Sequence, residues 1–195
     1  MTFRAWREKI RDYNDITETG PIMRRYFVIG AFDGALTILG LVLGAAAAGA
    51  ATSSDPVRLV LIAGGAATVG LAVSSGVGAY EAERVERKLE EHSLTRAMLA
   101  EMGKEHKGAF TYAAAVTALV HALAPVLAGL VPLVPFLLLP FATAVVVAVV
   151  LTLTFLFAMG AYLGSLVKER FLMTGFRFVI AGLATALLLY ALGLE

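Results

Sequence analysis

Between Lys107 and Lys168 the chain runs for 60 residues without a Lys, Arg, Asp or Glu. A soluble domain carries roughly 25% charged residues, so a gap of this length calls for a non-aqueous solvent. As a single helix the segment would be about 90 Å long, against a hydrocarbon layer of roughly 30 Å, so it must cross twice. Pro132, Pro135 and Pro140 mark the expected turn, because proline lacks the backbone donor. Spans are thus predicted at 109–131 and 136–164. Two further apolar runs precede this segment, at 26–49 and 57–80, and a fifth follows at 172–193. The expected fold class is an all-α integral membrane protein with five transmembrane helices. Composition agrees, with 59% hydrophobic and 16% charged residues and a mean hydropathy of +0.81. These values exclude a soluble enzyme, a disordered regulator and a nucleic-acid-binding module. The absence of cysteine removes disulfides, thiolate ligands and thiol catalysis together. The small residues closing the first run superficially resemble a signal-peptide cleavage site, but its apolar stretch far exceeds the 7–15 residues of a signal peptide, so it reads as an uncleaved span.

Charge sets the expected orientation. Of the 16 Lys and Arg residues, only Arg58 falls on the face opposite the other fifteen. Basic residues favour the cytoplasmic side, which places the N-terminus inside and the C-terminus outside. The chain then divides into an N-terminal cytoplasmic segment (1–25), spans 1 and 2 (26–80), a cytoplasmic glutamate-rich helical hairpin (81–107) and spans 3 to 5 (108–195). In the N-terminal segment Phe3, Trp6, Ile10 and Tyr13 recur at helical spacing among basic residues. This amphipathic helix suits the headgroup layer, or equally a seat on the protein's own loops.

Asp33 is the one acidic residue inside a span. A carboxylate there costs a few kcal/mol by insertion scales and marks ion pathways and proton relays. The functional reading is a metal ligand or proton-exchange group; the structural one is a hydrogen-bonded Asp near the inner interface. Gly30 and Gly34 flank it as a small-xxx-small pair, which places it at a helix–helix interface. His121 in span 3 and Met159 in span 4 read as packing residues before ligands.

The hairpin holds seven of the 15 acids: Glu81, Glu83, Glu86, Glu90, Glu91, Glu101 and Glu105. The expected layout is a helix to His92 and a second helix capped by Ser93. Glu83, Glu86 and Glu90 share one helix face, and Glu101 and Glu105 are one turn apart. Hard carboxylate oxygens suit Mn(II) and Fe(II). Interleaved Arg84, Arg87 and Lys88 allow the other reading, a solvated hairpin laced by weak ion pairs.

Span 1, AFDGALTILGLVLGAAAA, resembles the first helix of the vacuolar iron transporter family, with Asp33 and Gly34 in register and Phe32 at the position of the family's Asn. The end of span 2, SSGVGAY, resembles the family's Ser-Met-Ala-x-Gly-Glu-Tyr at Ser74, Gly78 and Tyr80, with Ser75 in place of the Met and Ala79 in place of the Glu. The turn VPLVPF and the tail GFRFVIAGLATALLLYALG are similar to the family's corresponding segments. The chain is thereby identified as a divergent, prokaryotic-type member with a short cytoplasmic connection.

The resemblance implies a homodimeric carrier that exports Fe(II) or Mn(II) from the cytoplasm in exchange for protons, with the metal as transported ion and no organic cofactor. It implies Asp33 as the translocation-path carboxylate and metal ligand. Glu83, Glu86, Glu101 and Glu105 would be the metal-collecting group. Glu81, close to Ala79, is placed to offer a carboxylate at the inner mouth. The expected location is the plasma membrane of a prokaryote, with lipid, divalent metal ions and protons as partners and no nucleic acid. The alternative is a membrane-embedded metal-binding or sensing protein without transport.

Overall fold

The computed structural model describes residues 3–49, 54–98 and 103–192. In order these form α1 (Phe3–Thr17), α2 (Thr19–Ala47), α3 (Pro56–Met98), α4 (Lys104–Leu138), α5 (Phe141–Leu166) and α6 (Phe171–Leu192). Among the described residues there is no strand. The five helices after α1 are each long and apolar enough to cross a membrane. In hydrocarbon every backbone group must find its partner within the segment, and the helix is the way a single segment does so. Rows of large apolar residues one turn apart stand exposed, such as Val69, Val73 and Val77 on α3 and Leu119, Leu123 and Leu127 on α4. A soluble protein buries such rows; here they form the surface offered to lipid.

The chain divides into two compact units, Met1–Gly30 with Ala72–Ala124, and Ala31–Leu71 with Pro125–Glu195. The second is built on a core of Ile38, Val42, Val60, Leu133, Phe136, Ala144 and Ala148. Small residues let helices approach closely within it: a Cβ on Gly34 would lie 2.5 Å from the Cα of Pro125, so only glycine fits. Met159 is buried on α5, as a packing residue should be. In the first unit, α1 is seated on α4 through Tyr13, whose ring centroid is 5.7 Å from that of Tyr112. This contact favours the seat on the protein itself for that end of the helix. The side chains of Phe3 and Trp6 lie outside the described set. Glu18, at φ 46°, takes the left-handed conformation between α1 and α2. The helix carrying span 1 therefore begins at Thr19, within the stretch expected to be extramembrane.

Two local expectations are corrected. Pro132 and Pro135 do not turn the chain: with Pro125 they lie inside α4, which runs to Leu138, and only Pro140 stands in the connection. Ser93 does not start a helix. Its Oγ donates to the Glu90 carbonyl at 2.8 Å within α3, which continues to Met98. A serine inside a helix satisfies its hydroxyl on the preceding turn, and no Gly or Pro interrupts the chain between Ser93 and Met98. The hairpin is thus made by the ends of α3 and α4, joined by a 3.0 Å ion pair between Lys107 and Glu91.

Candidate functional site

Asp33 occupies the middle of α2 and is exposed, as is Thr37 one turn further on. The packed face of the helix is the opposite one, formed by Gly34, Ala35, Ile38 and Val42. Its carboxylate has no ion-pair or hydrogen-bond partner among the described residues. Asp33 thus sits on the surface of an apolar helix, not inside the protomer's own packing. Gly30, three residues earlier, lies on the buried face, where a Cβ would come within 2.9 Å of His121 Nδ1. Its missing side chain admits the imidazole to the helix backbone. His121 Nδ1 donates to the Tyr26 carbonyl at 2.8 Å, and its ring meets that of Tyr26 edge-on at 5.1 Å. This bond sets the tautomer and leaves Nε2 as the acceptor. The histidine is a packing residue with one nitrogen committed.

The acidic residues of the hairpin differ sharply. Glu83 is 5% exposed. Its oxygens face two guanidiniums, Arg25 at 3.9 Å and Arg87 at 3.7 Å. Arg87 is held further by Glu90 at 2.9 Å, by the Thr17 carbonyl at 3.3 Å and by the Phe110 ring at 5.5 Å. Arg25 in turn lies 5.2 Å over the Tyr26 ring. This ties α2, α3 and the end of α1 through one carboxylate. Glu86, one turn along, is exposed and has no ion-pair partner among the described residues. Glu81 is exposed and accepts from Arg84 Nε at 2.9 Å. Ala79, at the position of the family's path Glu, is buried, and Ser75 is half-buried. Glu101 lies outside the described residues, and Glu105 stands in the first turn of α4 with its side chain outside the described set. Among the described residues no group of three or more His, Asp or Glu side chains converges as a metal site.

Glu83 and Glu86 therefore share a helix but not an environment: the first is held by cations, the second is open to a ligand. Sequence reasoning missed Arg25 as a partner of Glu83. The i, i+4 spacing of Glu83 and Arg87 is visible in the sequence, whereas Arg25 lies 58 positions earlier and carries no local signal.

Five long apolar helices and a charged helical hairpin define a multi-pass integral membrane protein. The sequence profile of the VIT family matches residues 24–101 and 90–194. The chain belongs to the VIT family, whose members are membrane metal transporters and not enzymes. It is also similar to MJ0645, an uncharacterized protein of Methanocaldococcus jannaschii, with 29% identity over 178 residues, covering 89% of this chain and 90% of that protein.

Proposed function

We propose that the protein exports Fe(II) or Mn(II) from the cytoplasm of a prokaryote as a homodimer, in exchange for protons carried inward on Asp33. The observation that carries this reading is the outward exposure of Asp33 in the middle of α2. Lipid does not accept a bare carboxylate at that depth, so the group needs a wet or protein-lined surface. A second copy across the α2 face supplies one, and two facing carboxylates offer hard oxygens to a divalent cation. Metal collects first on Glu86, assisted by Glu101 and Glu105. Glu83 acts mainly as the anchor that holds the hairpin to α2, and Glu81 lends negative charge near the inner mouth. With Ser75 and Ala79 in place of the family's Met and Glu, the thioether and the second carboxylate are missing and Asp33 bears most of the coordination within the membrane.

The deciding experiment is Fe(II) and Mn(II) flux in proteoliposomes, with internal pH followed at the same time. Wild type is expected to move metal and protons in opposite directions, and Asp33→Asn to reduce both to background. Metal flux through Asp33→Asn at the wild-type rate would overturn the mechanism. Calorimetric metal binding with flux at background in the wild type would favour the sensing reading instead.

A further inference from the structure

Arg177 stands on the apolar helix α6 with its side chain 68% exposed. At 1.5 Å per residue it lies about 9 Å beyond Phe171, the first residue of that helix. A guanidinium on a lipid-facing surface does not rest in hydrocarbon; it reaches for the headgroups and for a counter-charge. Its Nη1 reaches back to Glu169 in the α5–α6 turn at 4.0 Å, a loose contact that leaves most of its donors open. Arg170 lies on the same face of α6, two turns earlier, with Met173 between them and Ile180 beyond, and all four are exposed. Lys168 is exposed as well, and neither it nor Arg170 has an ion-pair partner among the described residues. Asp33, in the same compact unit, pairs with none of the three cations. Three cations to one carboxylate leave an excess of positive charge at this turn. Arg170, directly before α6, has no side-chain oxygen to cap the first turn, and that turn holds no acid, so the positive end of the helix dipole adds to the same field.

The turn is also built at a cost. The Glu169 N–H donates to the Gly164 carbonyl at 3.0 Å and the Lys168 N–H to that of Ser165 at 3.4 Å, the pattern that closes a helix through a left-handed residue. Glycine is favoured at that position, yet Lys168 occupies it, at φ 55°. A side chain kept there costs stability, so the charge it carries calls for a ligand that uses it. The turn is firmly seated: a Cβ on Gly164 would come within 2.9 Å of the Phe171 Cα, so α5 and α6 touch backbone to backbone where the cations project.

We propose that the α5–α6 turn and the adjoining face of α6 bind one anionic phospholipid. Arg170, Arg177 and Lys168 hold its phosphate by charge-assisted hydrogen bonds, and its acyl chains lie over Met173 and Ile180. Charge complementarity selects this occupant. A bilayer offers phosphate at the level of the turn and hydrocarbon directly beyond, which matches a basic turn that leads into an apolar face. The site uses none of the residues of the metal path.

The test uses the full-length protein in detergent, with bound phosphatidylglycerol counted by native mass spectrometry against phosphatidylcholine. Wild type is expected to hold phosphatidylglycerol saturably and in preference to phosphatidylcholine. Arg170→Gln and Arg177→Gln should each weaken its binding about five-fold, and together about 25-fold. Lys168→Gly should weaken it by a similar factor while raising the melting temperature, because glycine relieves the left-handed backbone. Weaker binding by a more stable protein is a combination that misfolding does not produce. Arg58→Gln removes the same charge near the start of α3 and is expected to bind as wild type does. The proposal is overturned if wild type shows no preference for phosphatidylglycerol, or if Arg170→Gln with Arg177→Gln binds it as wild type does. It is overturned equally if Arg58→Gln weakens binding as much, since net charge alone would then attract the lipid.

Discussion

Glu83 and Glu86 are three residues apart on one helix, yet one is buried between two guanidiniums and the other faces solvent. The difference has a measurable consequence. Removing the Glu83 charge leaves the mostly buried Arg87 with Glu90 as its remaining counter-ion and takes from Arg25 its contact across to α3, and losing one partner of a buried charge is costly. Glu83→Gln is expected to lower stability by about 2 kcal/mol, read by thermal denaturation in detergent with or without metal. Glu86→Gln should leave stability within about 0.5 kcal/mol and lower metal affinity instead. Equal melting of Glu83→Gln and wild type would remove the anchoring role. The acidity of the hairpin was legible in the sequence, but the separate roles of its members were not. A carboxylate's task depends on which cations reach it, and Arg25 arrives from another helix.

At the scale of the element, α4 decides most. Three prolines interrupt its hydrogen-bond ladder, leaving the carbonyls of His121, Ala128 and Val131 without their usual intrahelical donor. In water such a segment tends to break. In hydrocarbon, breaking exposes more backbone groups, each costing several kcal/mol, so the helix continues. This is why the turn lies at Pro140 and not at Pro132. The proline segment is also where α2 packs tightly, through Gly34 against the Pro125 backbone. A backbone atom cannot swing aside as a flexible side chain can. Gly34→Val is expected to cost about 3 kcal/mol or to abolish folding, seen as loss of monodisperse protein on size-exclusion chromatography. Gly44→Ala, with no atom within 4 Å of the new Cβ, is the matched control and should behave as wild type. A well-folded Gly34→Val protein would show that α2 and α4 do not pack as described.

For the whole molecule, the exposed strip of α2 bears on assembly. Thr37 stands exposed one turn beyond Asp33, and the chain has no cysteine of its own. A single Thr37→Cys should therefore cross-link to a second copy on oxidation in native membranes. Leu187→Cys, exposed on α6, should remain monomeric on denaturing gels. Cross-linking at position 187 and not at 37 would move the dimer interface away from Asp33 and with it the proposed metal path.

The sequence alone determined the solvent, the helical class and the five spans, because each follows from run length and composition. A 60-residue stretch without charge has few other ways to exist. It also singled out Asp33, since one acid in an apolar run is conspicuous by itself. The sequence matches were enough to show the family. The direction in which Asp33 points was decided only by tertiary structure. The flanking Gly30 and Gly34 placed it at a helix–helix interface, but the two glycines lie on the packed face of the protomer and Asp33 on the exposed one. Three residues along a helix turn the side chain by about 300°, and a single residue by about 100°. Neighbours in sequence are therefore not neighbours in facing. The same geometry buried Glu83 and left Glu86 free. Charge and hydropathy are sums over a segment and survive without coordinates. Facing and pairing depend on which helix lies alongside, and that is settled only when the helices pack.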